Sequence, residues 1–157
     1  MPHIEHLYLS PGHNYFGHHG KPADEHPIVS VCEIECVAGR GIRGDRFFDY
    51  KPDYKGQITF FAAEIYDELC ATLLPSSVLR PPSSVFRRNV ITRGVDLNSL
   101  IGQEFTLQGV RFLGTAECSP CYWMDQAFAS GTEAALKDRG GLRAKILTDG
   151  FLRLGPA

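Results

Sequence analysis

The 157-residue chain carries 16 Lys and Arg residues against 18 Asp and Glu residues, so its formal net charge at pH 7 is -2. Because the chain has no overall basic character, we expect no nucleic-acid partner. The hydrophobic fraction of 43% and the charged fraction of 22% exclude a disordered chain. The length suits a single domain over residues 1–157.

The start of the chain gives no targeting signal. Met1 to His6 has neither a basic beginning nor an apolar core, and no later apolar stretch approaches the roughly eighteen residues of a membrane span. Five cysteines are an odd number, which favours a reducing compartment over a disulfide framework. We therefore expect a cytoplasmic protein with no membrane partner and with some free thiols.

The first predicted elements are two strands, Ile4 to Leu9 and Pro27 to Val37, in which residue types alternate. Cys32 and Cys36 fall on the same side of the second strand as Ile34. The alternation therefore predicts that both cysteines are packed inside the core rather than used as ligands.

Two long loops follow these strands, Ser10 to His26 and Ala38 to Gly56. Loops of more than about a dozen residues in a compact domain are usually functional or disordered. The density of His, Arg and aromatic residues in both loops favours function.

A short strand at Ile58 to Phe61 precedes an amphipathic helix. The apolar residues of this helix recur at helical spacing: Ala62, Ile65, Tyr66, Leu69, Cys70 and Leu73. Cys70 is therefore predicted to face the core.

The second half of the chain is dominated by predicted strands, with one further helix from about Trp123 to Lys137. The strands are Asn89 to Thr92, Glu104 to Leu107, Val110 to Ala116, Leu142 to Leu147 and Phe151 to Leu154. A Gln108-Gly109 turn joins two of them as a hairpin. The count predicts a mainly β chain, a barrel with a few peripheral α-helices.

Cys118-Ser119-Pro120-Cys121 lies where a predicted strand ends and a helix begins. Backbone N–H groups at the start of a helix stabilise a thiolate, so this position suits a reactive sulfur.

Four interpretations of this segment stay open. A thioredoxin-type redox pair needs a neighbouring βαβ unit, which the pattern does not supply. A zinc site needs further ligands, for which His13, His18 and His19 are candidates. The other two are a pair of structural thiols and a single nucleophilic or metal-ligating cysteine. Whether Cys118 and Cys121 form a disulfide is also open.

Two arginine-bearing segments are candidates for anion binding, since the guanidinium fork matches phosphate and carboxylate groups. Gly41 to Arg46 has the glycines of a close-approach loop but is neither a P-loop nor a GxGxxG motif. Asp45, between Arg43 and Arg46, suits a structural ion pair as well as a ligand site. Arg87-Arg88-Asn89 presents guanidinium and amide groups to a ligand or to solvent.

Taken in order, these segments resemble the MOSC domain, named after the C-terminal part of eukaryotic molybdenum cofactor sulfurases and also found as standalone bacterial proteins. The similarity rests on Gly41 to Arg46, Arg87 to Gly102, the Ser-Pro-Cys segment with Met124-Asp125, and Gly140 to Ala144. It implies a β-barrel-like fold and a cysteine that carries sulfur or ligates molybdenum.

The resemblance assigns roles to particular residues. Cys121, which follows Pro120 in the cofactor-binding segment, matches the family cysteine and is the implied catalytic thiol and metal ligand. Cys118 takes the place of an additional upstream thiol. The remaining residues that the resemblance implies for binding of molybdopterin are Arg43, Gly44, Asp45, Arg46, Arg87, Arg88 and Asn89, whose guanidinium groups and backbone N–H donors suit its phosphate.

The function implied is that of a molybdenum cofactor-associated protein, which binds the cofactor or carries a persulfide. A sulfur carrier implies a pyridoxal phosphate-dependent cysteine desulfurase as partner. A cofactor-binding protein implies a molybdoenzyme or redox partner, because the chain has no flavin or iron–sulfur module. The alternatives are a non-catalytic module that binds a small anionic ligand, with structural cysteines, and a zinc-stabilised structural domain.

Overall fold

A computed structural model describes residues 1–12 and 28–157, and it consists mainly of short strands. The strands are β1 (His3–Leu9), β2 (Val29–Val31), β3 (Glu33–Val37), β4 (Gly41–Ile42), β5 (Ile58–Ala62), β6 (Val90–Arg93), β7 (Glu104–Leu107), β8 (Val110–Glu117), β9 (Leu142–Ile146), β10 (Gly150–Arg153) and β11 (Gly155–Pro156). The α-helices are α1 (Ala63–Leu73), α2 (Trp123–Ala127) and α3 (Thr132–Ala135).

The strands form two sheets. The larger has eight strands in the order β11-β1-β6-β5-β9-β8-β7, with β2 paired to the C-terminal residues of β1. The smaller has the order β10-β3-β4. Among the named strands, only β5 and β6 pair in parallel, and α1 lies between them in the chain. The mainly β class is confirmed, but neither sheet closes, so the structure is barrel-like only in a loose sense.

Two hydrophobic clusters hold the fold together. The first joins inward-facing strand residues of both sheets, including Ile4, Ile34, Phe60 and Phe112, all nearly inaccessible to solvent. The second packs α1 and the two short helices against the other face of the large sheet, around Phe61, Phe86, Leu69 and Leu136. Burial of both faces of β5 explains why four of its five residues are apolar, Thr59 being the exception.

Most predicted strands agree with the structure to within one or two residues at each end, and the Gln108-Gly109 hairpin is present. Both turn residues have positive φ, 49° and 82°, as a type I′ turn requires. The predicted amphipathic helix is α1, and Cys70 is buried as expected.

The prediction for Cys32 was wrong. Cys36 is fully buried, but Cys32 is exposed. The chain leaves the large sheet after β2 and enters the small sheet at β3, and Cys32 stands at the bend between them. Because the alternation is interrupted there, the side chains before and after the bend do not share a face.

The helix predicted over Trp123 to Lys137 was also wrong in extent. Two short helices, α2 and α3, take its place. Gly131, with a φ of 92°, lies between them, and this left-handed backbone cannot continue an α-helix. The loop predicted over Ala38 to Gly56 contains the two-residue strand β4, which pairs with β3.

In the described ranges, no helix is both long and apolar enough to cross a membrane.

Candidate functional site

The cysteine segment lies between β8 and α2, as predicted. Cys118 is buried, with 3% of its surface exposed, whereas Cys121 is half-buried. Both line one cavity of about 190 Å³. Both are free thiols, so the question left open by the sequence is answered: no disulfide joins them.

The cavity is built by segments that are far apart in the chain. Its wall consists of Ser10, Arg46, Phe47, Tyr54, Gly56, Thr59, Arg87, Arg88, Asn89, Cys118, Ser119, Cys121, Met124 and Arg143. Four of these carry guanidinium groups and, among described residues, none of the lining side chains is a carboxylate. The cavity is therefore suited to an anion.

Arg46 and Phe47 form one side of the cavity. The Arg46 guanidinium lies 4.7 Å from the centroid of the Phe47 ring, a cation–π contact. Phe47 in turn contacts Tyr50 and Tyr54, with ring centroids 5.2 and 5.3 Å away. Contacts among these rings order the loop that carries Arg46.

Arg87 also lines the cavity and directly follows the 3₁₀ turn Ser83–Phe86. Its backbone is left-handed, with a φ of 57°, a conformation that costs a non-glycine residue about 1 kcal/mol or more. Its guanidinium is 5.7 Å from the Trp123 ring, so the first residue of α2 helps to orient it. The strained turn directs consecutive arginines toward one cavity.

Arg88 is held by backbone carbonyl groups. Its Nη1 donates to the Phe86 carbonyl at 2.8 Å, its Nε to the Gly140 carbonyl at 3.1 Å and its Nη2 to the Cys118 carbonyl at 3.4 Å. The guanidinium therefore connects the 3₁₀ turn, the glycine turn before β9 and the cysteine segment.

Asn89 and Asp45 form a buried polar pair behind the cavity. The Asp45 carboxylate accepts hydrogen bonds from the backbone N–H of Ser10 at 2.9 Å and from the Asn89 amide at 3.2 Å. The Asn89 amide oxygen accepts from the backbone N–H of Thr59 at 3.0 Å. Burial raises the pKa of Asp45, whereas hydrogen bonds from Ser10, Phe47 and Asn89 and the charge of Arg46 oppose this rise. Asp45 is therefore a structural anchor.

Three other predicted contacts lie elsewhere. Arg43 forms an exposed ion pair with Glu35, and neither it nor Gly44 lines the cavity. The turn at Gly44 has an exposed, left-handed backbone. Pro120 faces a shallow groove on the other side of the cysteine segment, which includes Glu133. Of the predicted residues, Arg46, Arg87, Arg88 and Asn89 are brought together with both cysteines.

The sequence did not single out several residues of the wall, above all Arg143. Arg143 is the second residue of β9, and its side chain points away from the core in the alternation of that strand. The alternation in β9 predicts only that the Arg143 side chain points away from the core. It does not predict the cavity, which depends on the pairing of β9 with both β5 and β8. Ser10, Tyr54 and Thr59 were also missed, because segments that are far apart in the chain build the wall.

The other buried thiols serve the core. Burial raises the pKa of Cys36 to about 12, with a smaller contribution from the charge of Glu35. Cys70 contacts Tyr66, and burial together with this contact raises the pKa of Tyr66 to about 12. A buried thiol such as Cys36 is protonated and inert near neutral pH.

In the part of the chain that the structure describes, no group of three or more His, Cys, Asp and Glu residues is placed to hold a metal ion. The zinc ligands proposed from the sequence, His13, His18 and His19, lie outside the described residues.

The fold and the site define a small, mainly β protein with a thiol-bearing, arginine-lined cavity. The model of the MOSC domain family matches residues 17–156, most of the chain, and the chain belongs to that family. Membership of this family associates the protein with molybdenum cofactor-related function in general.

Solved structures share the fold of this chain. The YuaD protein from Bacillus subtilis is 19% identical, with a TM-score of 0.71 over 99% of this chain and 93% of that chain. YiiM from Escherichia coli is 16% identical, with a TM-score of 0.63 over 98% and 67% of the two chains. YiiM from Geobacillus stearothermophilus is 11% identical, with a TM-score of 0.66 over 99% and 73%. At these identities the likeness is one of fold. No curated protein sequence matches the chain.

Proposed function

We propose that the arginine-lined cavity binds a pterin-type molybdenum cofactor and that Cys121 is the protein's sulfur ligand to the metal. One observation carries the proposal: a partly accessible thiol and four guanidinium groups line the same cavity. Thiolate is a soft ligand that suits molybdenum, and guanidinium is the side chain that best matches a phosphate group.

The residues present fit this cofactor. The wall offers positive charge for a phosphate and the hydroxyl group of Ser10 for a polar ring atom of a pterin. The single accessible thiol supplies one ligand, which is enough for a metal that arrives with its own organic ligand. When bound, the cofactor supplies two-electron redox chemistry at the metal.

Each side chain has a distinct task in this proposal. Cys121, as thiolate, holds the metal, and the buried Cys118 packs beside it. Arg46 and Arg143 neutralise the phosphate, while Asn89 holds the wall of the cavity in place through Asp45. The proposed protein is a single domain in the cytoplasm and takes electrons from a redox partner protein or a molybdoenzyme.

A second candidate is sulfur transfer, in which Cys121 carries a persulfide. It is favoured by the exposure of Cys121, since a sulfur donor must reach the carrier thiol. The donor is then a pyridoxal phosphate-dependent cysteine desulfurase. The non-catalytic alternative is a module whose cavity binds a small anionic metabolite and whose cysteines are structural. The other alternative is a structural domain stabilised by zinc, with His13, His18 or His19 as ligands.

The experiment that tests the proposal is metal and pterin analysis of protein purified from a molybdenum-replete host. Wild type is compared with Cys121→Ala and with Cys32→Ala, an exposed thiol that does not line the cavity. We expect molybdenum and pterin in wild type and Cys32→Ala and neither in Cys121→Ala.

The other outcomes separate the alternatives. Cyanide-releasable sulfur on Cys121 without molybdenum supports the sulfur carrier. Stoichiometric zinc supports the structural domain, and pterin retained in full by Cys121→Ala contradicts ligation by that thiol.

A further inference from the structure

The turn at Gly140-Gly141 has no room for a side chain at either position, because Gly140 lies against the cysteine segment and Gly141 lies against β5. A Cβ atom on Gly140 would lie 2.1 Å from the Cys118 carbonyl oxygen, and one on Gly141 would lie 2.3 Å from the Phe60 carbonyl oxygen. The Cys118 N–H donates to the Gly141 carbonyl at 2.8 Å. This contact places the thiol segment against the start of β9.

Arg88 completes this contact from inside the cavity. All three of its guanidinium nitrogens donate to backbone carbonyls, those of Phe86, Gly140 and Cys118. Arg88 therefore bridges both sides of the junction between the cysteine segment and the glycine turn. Most of the N–H donors of a guanidinium group held in this way are already engaged in hydrogen bonds within the protein.

Arg143 is in the opposite situation. It lies two residues after Gly141 and lines the same cavity. Among the described residues its guanidinium donates no hydrogen bond and forms no ion pair, and only its backbone takes part in hydrogen bonding, for example by accepting from Thr115 at 3.0 Å. Its donors are available to an anion.

We propose that two arginines of the cavity have separate roles: Arg88 is a positioning residue that holds the cysteine segment, and Arg143 is an anion-binding residue. The identity of that anion as the phosphate of a cofactor rests on the proposed function. The division of roles itself does not, because it can be measured in protein without cofactor.

The test compares Arg88→Gln with Arg143→Gln in cofactor-free protein. The first measurement is titration with inorganic phosphate, followed by nuclear magnetic resonance. The second is the rate at which iodoacetamide alkylates Cys121 as a function of pH. The third is amide hydrogen exchange over residues 118–121 and 140–142, with the melting temperature as a check on global stability.

We expect Arg143→Gln to weaken phosphate binding by about tenfold, as the loss of one charge-assisted pair does, and to leave amide exchange in both segments as in wild type. Arg88→Gln is expected to speed exchange in both segments and to change the pH profile of Cys121 alkylation. A merely stabilising residue would lower the melting temperature without changing that profile.

Lysine variants sharpen the comparison. Arg143→Lys should retain part of the phosphate affinity, because a point charge is enough for attraction. Arg88→Lys should not restore the Cys121 profile, because one ammonium group cannot replace a planar fork that reaches three carbonyls. If Arg88→Gln does not fold, Arg88→Lys is measured in its place.

Two results would overturn the assignment: unchanged phosphate affinity in Arg143→Gln, or unchanged Cys121 alkylation and exchange in the folded Arg88 variant. Neither result bears on whether the natural protein carries molybdenum. Conversely, absence of molybdenum and pterin from the wild type removes the proposed function and leaves the separation of roles intact.

Discussion

The side-chain amide of Asn89 donates to the buried carboxylate of Asp45 across a distance of 3.2 Å. These residues are 44 positions apart, and their hydrogen bond joins the loop after β4 to the residue that precedes β6. Arg46 follows Asp45 and Arg88 precedes Asn89, so one buried contact fixes the positions of two cavity arginines. The electrostatics of this pair lead to the first prediction.

Replacing Asp45 with Asn should change how stability depends on pH. Because burial raises the pKa of Asp45 in the folded state above its ordinary value of 3.8, the folded state binds this proton more tightly than the unfolded state. The contribution of Asp45 to stability is therefore fully present below that ordinary value and is lost as pH rises through the folded pKa. Asn carries no charge and has no such loss.

The measurement is urea unfolding of wild type and Asp45→Asn at several pH values from below 3.8 to neutrality. We expect the free energy of unfolding of the variant to increase relative to that of wild type as pH rises. Asp138→Asn, at an exposed carboxylate, is the matched control. A difference that is constant over the whole range would contradict the prediction.

The thiols should differ in reactivity according to their burial. Alkylation requires the thiolate, and with a pKa of about 12 Cys36 has a thiolate fraction about a thousandfold below that of a thiol at the ordinary value of 9.0. Cys32 and Cys121 are accessible, so we expect iodoacetamide to label them in the native protein well before Cys36. Peptide mass spectrometry after timed labelling checks this order. Labelling of Cys36 as fast as Cys121 would show that the native core opens.

Substitution of Gly140 should displace the cysteine segment. An alanine Cβ would overlap the Cys118 carbonyl oxygen, so Gly140→Ala is expected to lower the free energy of unfolding by about 3 kcal/mol, the upper end for overpacking. The same substitution should also weaken the binding of inorganic phosphate in the cavity. The matched control is Gly44→Ala, which has open space around it and only the strain of a positive φ, about 1 kcal/mol. Urea unfolding of both variants provides the comparison, and equal losses would refute the steric argument.

Local sequence patterns predicted what depends on local geometry. Alternation located β1, β7 and β8, and the helical spacing of Leu69 and Cys70 located α1, because period and burial are linked along one element. Alternation failed at Cys32, where the chain changes sheets, and a fifteen-residue helix was expected where Gly131 interrupts it. These failures have a physical cause: sheet exchange and backbone handedness are set by tertiary packing.

The site was predictable only in part, for a related reason. The thiols and the Arg87 to Asn89 segment were identified by residue type and by a family resemblance, and the structure brings them together. Arg143 was not identified because its position depends on the pairing of β9 with β5 and β8, which no local pattern specifies. Arg43 was expected near the cavity but pairs with Glu35, since the loop turns outward at Gly44.

The buried pair behind the cavity offers a final prediction. Asn89→Asp replaces the donor that faces Asp45 with a second carboxylate, and two like charges in a buried site cannot both stay ionised. We expect the free energy of unfolding, measured with urea at neutral pH, to fall by about 3 kcal/mol, as it does for an uncompensated buried charge. Adding Asp45→Asn should recover part of this loss, because the new amide can donate to the new carboxylate. Recovery stays partial, since the Tyr8 carbonyl, which accepts from the Asn89 amide at 3.2 Å in wild type, then faces an acceptor. Additive losses in this double-mutant cycle would show that the two side chains do not interact.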